Sequence, residues 1–206
     1  MPITAPARSP AAPRGRPREF DPDDVLDRAI AVFSARGYHA SSIGELSAAT
    51  GLTAGSLYKA FRDKRGLFVA TLARYKARRD AALDAALAPC TNARERIRTL
   101  LAFYAEASSG AAGQQGCLVV SSATELAVFD ADLADQVNAS LRRVEVRLLT
   151  LLRAGQDDGS IAPLRDSEAT ARALLCLVQG LRVVGKTRRT LGEMLAVVDV
   201  AMGALK

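Results

Sequence analysis

The chain has 206 residues, 49% of them hydrophobic but only 5% aromatic and none Trp, so Leu, Val, Ile and Ala must fill its core. Residues 1–79 hold 14 Lys and Arg against 7 Asp and Glu, whereas residues 80–206 hold 14 against 15, so all the excess positive charge lies in the first part. The three cysteines, Cys90, Cys117 and Cys176, are scattered and lack CxxC spacing, which argues against a disulfide framework, a metal site or a metal cofactor. No apolar run approaches the roughly 20 residues that span a bilayer. The Pro/Arg-rich start is no secretory signal, and a reduced, cytoplasmic setting is expected.

Strand-length alternation is nearly absent, and the expected class is all-α. Residues 1–19 carry five of the eight prolines and little to bury, and read as a disordered basic arm. Asp21-Pro22 starts a first helix over about 22–36, with Leu26, Ala29, Ile30 and Phe33 at helical spacing and Gly37 as its stop. Ser42-Ile-Gly-Glu45 is a capping box that opens a second helix to about Thr50. Gly51 supplies a left-handed turn, Leu52 a buried turn residue, and Thr53 the N-cap of a third helix that carries Leu57 and Phe61 inward. Asp63 caps a fourth helix running towards Leu87.

Beyond it, Asn92-Ala-Arg-Glu95 is a weaker capping box opening a helix to about Ser109. Residues 110–116 read as a Gly/Gln loop, followed by a helix from about Cys117 to Ala127. Asp130 caps a long helix over about 131–157, broken by Asp157-Asp-Gly-Ser-Ile-Ala-Pro163. Two last helices cover about 167–186 and 190–204, for nine in all.

Helix, tight turn and helix across Ile43–Phe61 form a helix-turn-helix in the basic part of the chain. A helix fits the major groove of B-DNA with its N-terminal residues at the base edges. Thr53, Ala54, Gly55 and Ser56 are small enough for close approach there; Thr53 and Ser56 offer hydroxyls and Ala54 a methyl contact for thymine. Tyr58, Lys59 and Lys64 suit phosphate oxygens, aided by the N–H groups at the start of the fourth helix. Arg14, Arg16 and Arg18 form an arm suited to a narrow minor groove, or a solvated tail.

Residues 23–72 resemble the N-terminal domain of TetR-family repressors. The matching features are Ala29 to Phe33 with Gly37-Tyr38, the run Ser42 to Leu52, and the run Gly55 to Phe68 with Tyr58, Lys59, Phe61 and Lys64 in place. The resemblance implies a nine-helix homodimer that binds a palindromic operator in double-stranded DNA. It implies base contacts from the third helix and phosphate contacts from Ser42, Tyr58, Lys59 and Lys64. Lys59 stands where a His is frequent, and Ser41 where a Thr is frequent. On this reading residues 20–66 are the DNA-binding domain, and residues 67–206 a ligand-binding and dimerisation domain.

The resemblance places an inducer pocket within the C-terminal part and the dimer seam on the last two helices. Leu174, Leu177, Val178, Leu181 and Val184, with Leu195, Val198 and Met202, are apolar enough to build that seam, or to be buried in one subunit. Helix phase offers Phe103, Tyr104, Cys117, Val120, Ser121, Thr124, Leu148, Leu152, Gln179 and Val183 as pocket walls, each equally suited to ordinary core. The segment around Cys117 resembles a helix start in a branch whose members include cysteine sensors of electrophiles. At a helix N-terminus the thiolate is favoured, so Cys117 is either a redox or electrophile sensor or a small core residue. Glu125 either meets a cation or caps a local network. An enzyme is disfavoured: His39 is the only His and has no partner cluster.

Overall fold

The computed structural model describes residues 20–125 and 130–206, which form ten α-helices and no strand. They are α1 (Pro22–Ala40), α2 (Ile43–Thr50), α3 (Ala54–Phe61), α4 (Lys64–Leu87), α5 (Ala93–Glu106), α6 (Gly110–Gln115), α7 (Leu118–Glu125), α8 (Ala131–Asp157), α9 (Ser167–Val184) and α10 (Leu191–Gly203), with a 3-10 turn at Gly185–Thr187. Arg14, Arg16 and Arg18 lie outside the described residues.

Local chemistry sets most helix starts. Asp21 accepts from the Asp23 N–H at 2.9 Å, and Asp130 from that of Leu133 at 3.1 Å. The Ser42 box closes in both directions: Ser42 Oγ accepts from the Glu45 N–H at 3.1 Å, and Glu45 Oε2 accepts from the Ser42 N–H at 2.9 Å. At α5 the box is displaced by one residue. Asn92 caps the Glu95 N–H at 2.9 Å, but the Glu95 carboxylate reaches back to the Thr91 N–H at 2.8 Å.

Two elements differ from expectation. Gly37 does not end α1; it breaks the helix at φ 78°, ψ 179°, and one further turn carries on to Ala40. Residues 110–115, expected as loop, form α6. A Cβ at Gly113 would stand 2.9 Å from the Gly185 carbonyl oxygen, so bare glycine lets the short helix lie against the 3-10 turn. Close backbone packing, invisible as a hydrophobic period, replaces the side-chain stripe that ordinarily marks a helix.

Two apolar cores result. The first joins Val25, Ala29 and Phe33 of α1, Leu46 of α2, Leu57 of α3 and Leu67, Phe68 and Leu72 of α4, and it includes Leu118 of α7 and Leu133 of α8. Phe33 and Phe68 meet edge to face with centroids 4.9 Å apart. The second core gathers Leu83 of α4, Ile97, Leu100 and Leu101 of α5, Leu148 and Leu152 of α8, Val178 and Leu181 of α9 and Val198 and Met202 of α10. Helix α4 runs from one core into the other.

Candidate nucleic-acid interface and the cavity behind it

Helix α3 is seated from one side only. Leu57 is buried at 2% exposure, whereas Thr53, Ala54, Gly55, Tyr58 and Lys59 face solvent and Ser56 is half-buried. Gly51, in the left-handed conformation at φ 73°, ψ 11°, sets the turn that leads into it. Thr53 Oγ1 accepts from the Ser56 N–H at 3.2 Å, and the two hydroxyls lie 3.0 Å apart, so both are oriented at the helix tip. Ser42, at the start of α2, is exposed as well. A Cβ on Gly55 would come no nearer to the rest of the protein than 3.9 Å, at Thr53 Oγ1, so nothing internal requires glycine there.

The start of α4 is tied down rather than free. Asp63 accepts from the Gly66 N–H at 2.6 Å, and Gly66 has no room for a side chain, because its Cβ would stand 2.0 Å from the Phe61 carbonyl oxygen. Lys64 Nζ donates to the His39 carbonyl at 3.3 Å and lies 4.6 Å from the centre of the Tyr38 ring. Burial pulls the Lys64 ammonium below its ordinary pKa, against the opposing pull of Glu125 and Glu45. Arg65 grips both oxygens of Asp130, at 2.6 and 2.9 Å, and reaches Asp132 at 3.1 Å. Those bonds, first from the Arg65 side chain and then from the Leu133 N–H, hold the Asp130 carboxyl at about 2. Glu125, left open by the sequence, caps a local break: its carboxylate accepts the Tyr38 N–H at 3.0 Å, across the gap at Gly37.

Behind the first core lies a cavity of about 60 Å³. Its walls are Tyr75, Lys76, Arg79 and Asp80 of α4, Tyr104 of α5, Cys117 and Val119 at the start of α7, Ser140, Leu141, Arg143 and Val144 of α8, and Gln179 and Arg182 of α9. Arg182 is 4% exposed. Its guanidinium donates to the Ala107 carbonyl, to the Gly116 carbonyl at 3.1 Å and to the Tyr75 hydroxyl at 3.1 Å. The Tyr75 hydroxyl in turn donates to Cys117 Sγ at 3.5 Å. Burial pushes the Cys117 thiol up, but the Arg182 charge, the Tyr75 hydroxyl and the Val120 N–H outweigh it, leaving the thiol below its ordinary pKa. Burial and the neighbouring sulfur raise Tyr75, which stays a neutral phenol.

Of the ten residues that helix phase offered as pocket walls, Tyr104, Cys117 and Gln179 reach this cavity. Phe103 lies under the Arg79 guanidinium at 4.7 Å and faces an outer hollow with Ile30 and Arg78. Leu148 and Leu152 are wholly buried in the second core. Val120 is half-buried, and the Ser121 and Thr124 hydroxyls are spent within α7, on the Cys117 carbonyl at 3.1 Å and the Ser121 carbonyl at 3.1 Å. Val183 is 53% exposed, on the far side of α9. Sequence reasoning missed Tyr75, Lys76, Arg79 and Arg182; the signal was an Arg inside the apolar run of α9, at a position facing the protein.

The same rotation re-sorts the seam. Leu174, Val178, Leu181, Val198 and Met202 are buried within the protomer, and Leu177 and Leu195 are half-buried. The exposed apolar stripe on α9 and α10 keeps Val184 of the expected set and adds Val183, Leu191, Val197 and Val200, the last 78% exposed. Gly180 lies on the same stripe, and a Cβ added there would meet nothing within 4 Å.

Among the described residues no cluster of His, Cys, Asp and Glu has the form of a metal site, and no helix is long and apolar enough to cross a membrane. Residues 25–71 match the family model of bacterial regulatory proteins of the tetR family, and residues 93–194 match that of the tetracyclin repressor-like C-terminal domain. The chain is 31% identical over 193 residues to the HTH-type transcriptional repressor ComR of Escherichia coli K12, covering 92% of this chain and 90% of that one. It is 28% identical to the uncharacterized HTH-type regulator YezE of Bacillus subtilis, covering 93% and 99%. Its fold superposes with TM-score 0.81 on a cysteine-substituted variant of the TetR-family regulator CifR in complex with a 26-base-pair double-stranded operator DNA, at 32% identity, covering 93% of this chain and 100% of that one. With both halves matched and the helix-turn-helix in place, this chain belongs to the TetR family of transcriptional regulators, proteins that read DNA rather than catalyse reactions.

Proposed function

We propose that the protein is a homodimeric repressor that binds a palindromic operator and is released by a small molecule. The observation that carries this reading is the exposed tip of α3, with Thr53, Ala54, Gly55 and Tyr58 free of internal duties beyond the cap. Glycine at position 55 serves nothing inside the fold, so its smallness serves something outside it, a groove wall at close approach. Ser42, Tyr58 and Lys59 flank the tip as phosphate contacts, and Lys64 is positioned behind them by the Tyr38 ring. The CifR variant, a structural relative in complex with operator DNA, supports the operator-binding part of this reading. A DNA reader of this kind works in the cytoplasm.

Dimerisation is supported by the stripe of Val183, Val184, Val197 and Val200, apolar and exposed in a single protomer. A two-fold axis through α9 and α10 would bury it and set two α3 helices about 34 Å apart, one turn of DNA. Ligand in the cavity would act by population shift. The cavity wall lies on α4, whose first residue, Lys64, follows the end of α3 by three positions, and α8 is clamped to the start of α4 by Arg65. The test is competition binding at fixed salt. A palindromic promoter fragment should compete at least about a thousandfold better than random DNA; equal competition would overturn the reading.

A second reading is favoured by one observation. Cys117 lines the cavity with its sulfur beside Tyr75 and Arg182. On this reading the thiol is itself the sensor, modified by an electrophile or oxidant that enters the cavity. Peptide mass spectrometry after mild electrophile treatment should find Cys117 modified and the operator released. A Cys117→Ser variant that is still released by the same treatment would exclude it.

A further inference from the structure

The cavity is unusual in its charge. Arg182 is buried and spends its hydrogen bonds on carbonyl oxygens, a phenol and the Ser108 hydroxyl, none of them charged. Arg79 lies against the faces of Phe103 and Tyr104, at 4.7 and 5.1 Å. Arg182 Nε and Arg79 Nη2 are both buried without a hydrogen-bond partner among the described residues. The one carboxylate in the wall, Asp80, is taken by Arg143. Lys76 feels the surplus: burial first, then the charge of Arg143, depress its ammonium. A buried guanidinium without counter-charge is strongly unfavourable, and Arg79 and Arg182, each with one donor unfilled, both line this cavity.

Taking up the ligand-release reading, we propose that this cavity is a binding site for a small organic anion, a carboxylate or comparable oxyanion held by Arg79 and Arg182. Size narrows the class. A cavity of about 150 Å³ accommodates benzene, so 60 Å³ admits a head group of only a few heavy atoms. The Tyr75 hydroxyl, which already bridges Arg182 and Cys117, ties the site to the thiol. An anion that neutralises Arg182 withdraws the charge that favours the Cys117 thiolate. Anion occupancy and thiol reactivity therefore oppose one another, and by linkage each weakens the other.

The experiment uses the intact protein at constant ionic strength, with sodium acetate replacing sodium chloride stepwise. The probes are acetate and its neutral analogue acetamide. Acetate should raise the melting midpoint saturably and slow iodoacetamide labelling of Cys117 at least fivefold, while labelling of the exposed Cys176 stays unchanged. Acetamide should do neither. Arg182 also secures two backbone carbonyls, so the variant of choice is Arg79→Gln, which should fold normally and lose both acetate effects. Acetate and acetamide acting alike, or Arg79→Gln keeping the full response, would overturn the proposal. If acetate is inert while a neutral molecule releases operator from the same preparation, the anion site falls and ligand-controlled release stands. If acetate binds as expected but operator affinity is unmoved, the anion site stands and its coupling to DNA falls.

Discussion

On α3 and at the α3–α4 junction the basic side chains Lys59 and Arg62 are exposed, with the half-buried Lys64 braced behind them by Tyr38. One helix further on, Lys76 and Arg79 turn inward to join Arg182 around a cavity, and Arg74 and Arg78 pair with Asp23 and Asp27 of α1. Both groups contribute to the positive excess of residues 1–79, yet under the proposed function only the first meets DNA phosphates. Net charge along a sequence is thus a sum over faces that look in different directions. An exposed cation is cheap to keep and screened by salt; a buried one constrains what its cavity can hold.

The contrast can be broken most sharply at the surface that should hold two reading heads together. Val183→Asp with Val200→Lys should leave a folded monomer by analytical ultracentrifugation and weaken operator binding by about two orders of magnitude, the loss expected when two linked sites act singly. Unchanged dimer mass would show that the stripe is not the seam. Next in size is Gly66→Ala, which drives a Cβ into the Phe61 carbonyl and should destabilise the protein by about 1–3 kcal/mol in urea unfolding. A smaller effect is acid-dependent. Asp130 is depressed to about 2 in the folded state, so its contribution is present above its unfolded value near ~4 and is lost as pH falls through about 2. Arg65→Ala should narrow that window, leaving the smaller part due to the Leu133 N–H, as followed by NMR titration of the Asp130 carboxyl. The least effect is expected of Lys64→Ala, which should weaken all DNA sequences alike and flatten the salt slope by about 1, whereas Thr53→Ala should change site preference. Equal loss of discrimination from both would contradict the division of labour at α3 and α4.

How much of this was legible in the sequence depended on the range of the physics. Caps are local, and Asp21, Ser42, Thr53, Asp63 and Asp130 each appear at the helix starts that their side chains dictate. The helix-turn-helix was readable because Leu46, Gly51 and Leu57 fix its geometry within a dozen residues. The cavity was not, since its walls come from five helices between α4 and α9, and Tyr75 and Arg182 meet across 107 positions. Periodicity also failed on α9, which is apolar on several faces. It could say that Leu174, Val178 and Val183 were hydrophobic, but not which of them turns inward. Helix α6 escaped because Gly113 serves close backbone contact, and glycine read alone signals a loop.

Leu118 of α7 and Leu133 of α8 complete the core beneath the reading head. A cut after residue 66 would therefore strip that core of Leu67, Phe68, Leu72, Leu118 and Leu133 together, and the excised fragment should be unfolded by circular dichroism. For anyone wishing to graft this DNA specificity onto another sensor, the transferable part is a surface, the solvent face of α3 with its caps. The reading head is not a detachable module, and a chimera would have to carry the new contacts into the recipient's own scaffold.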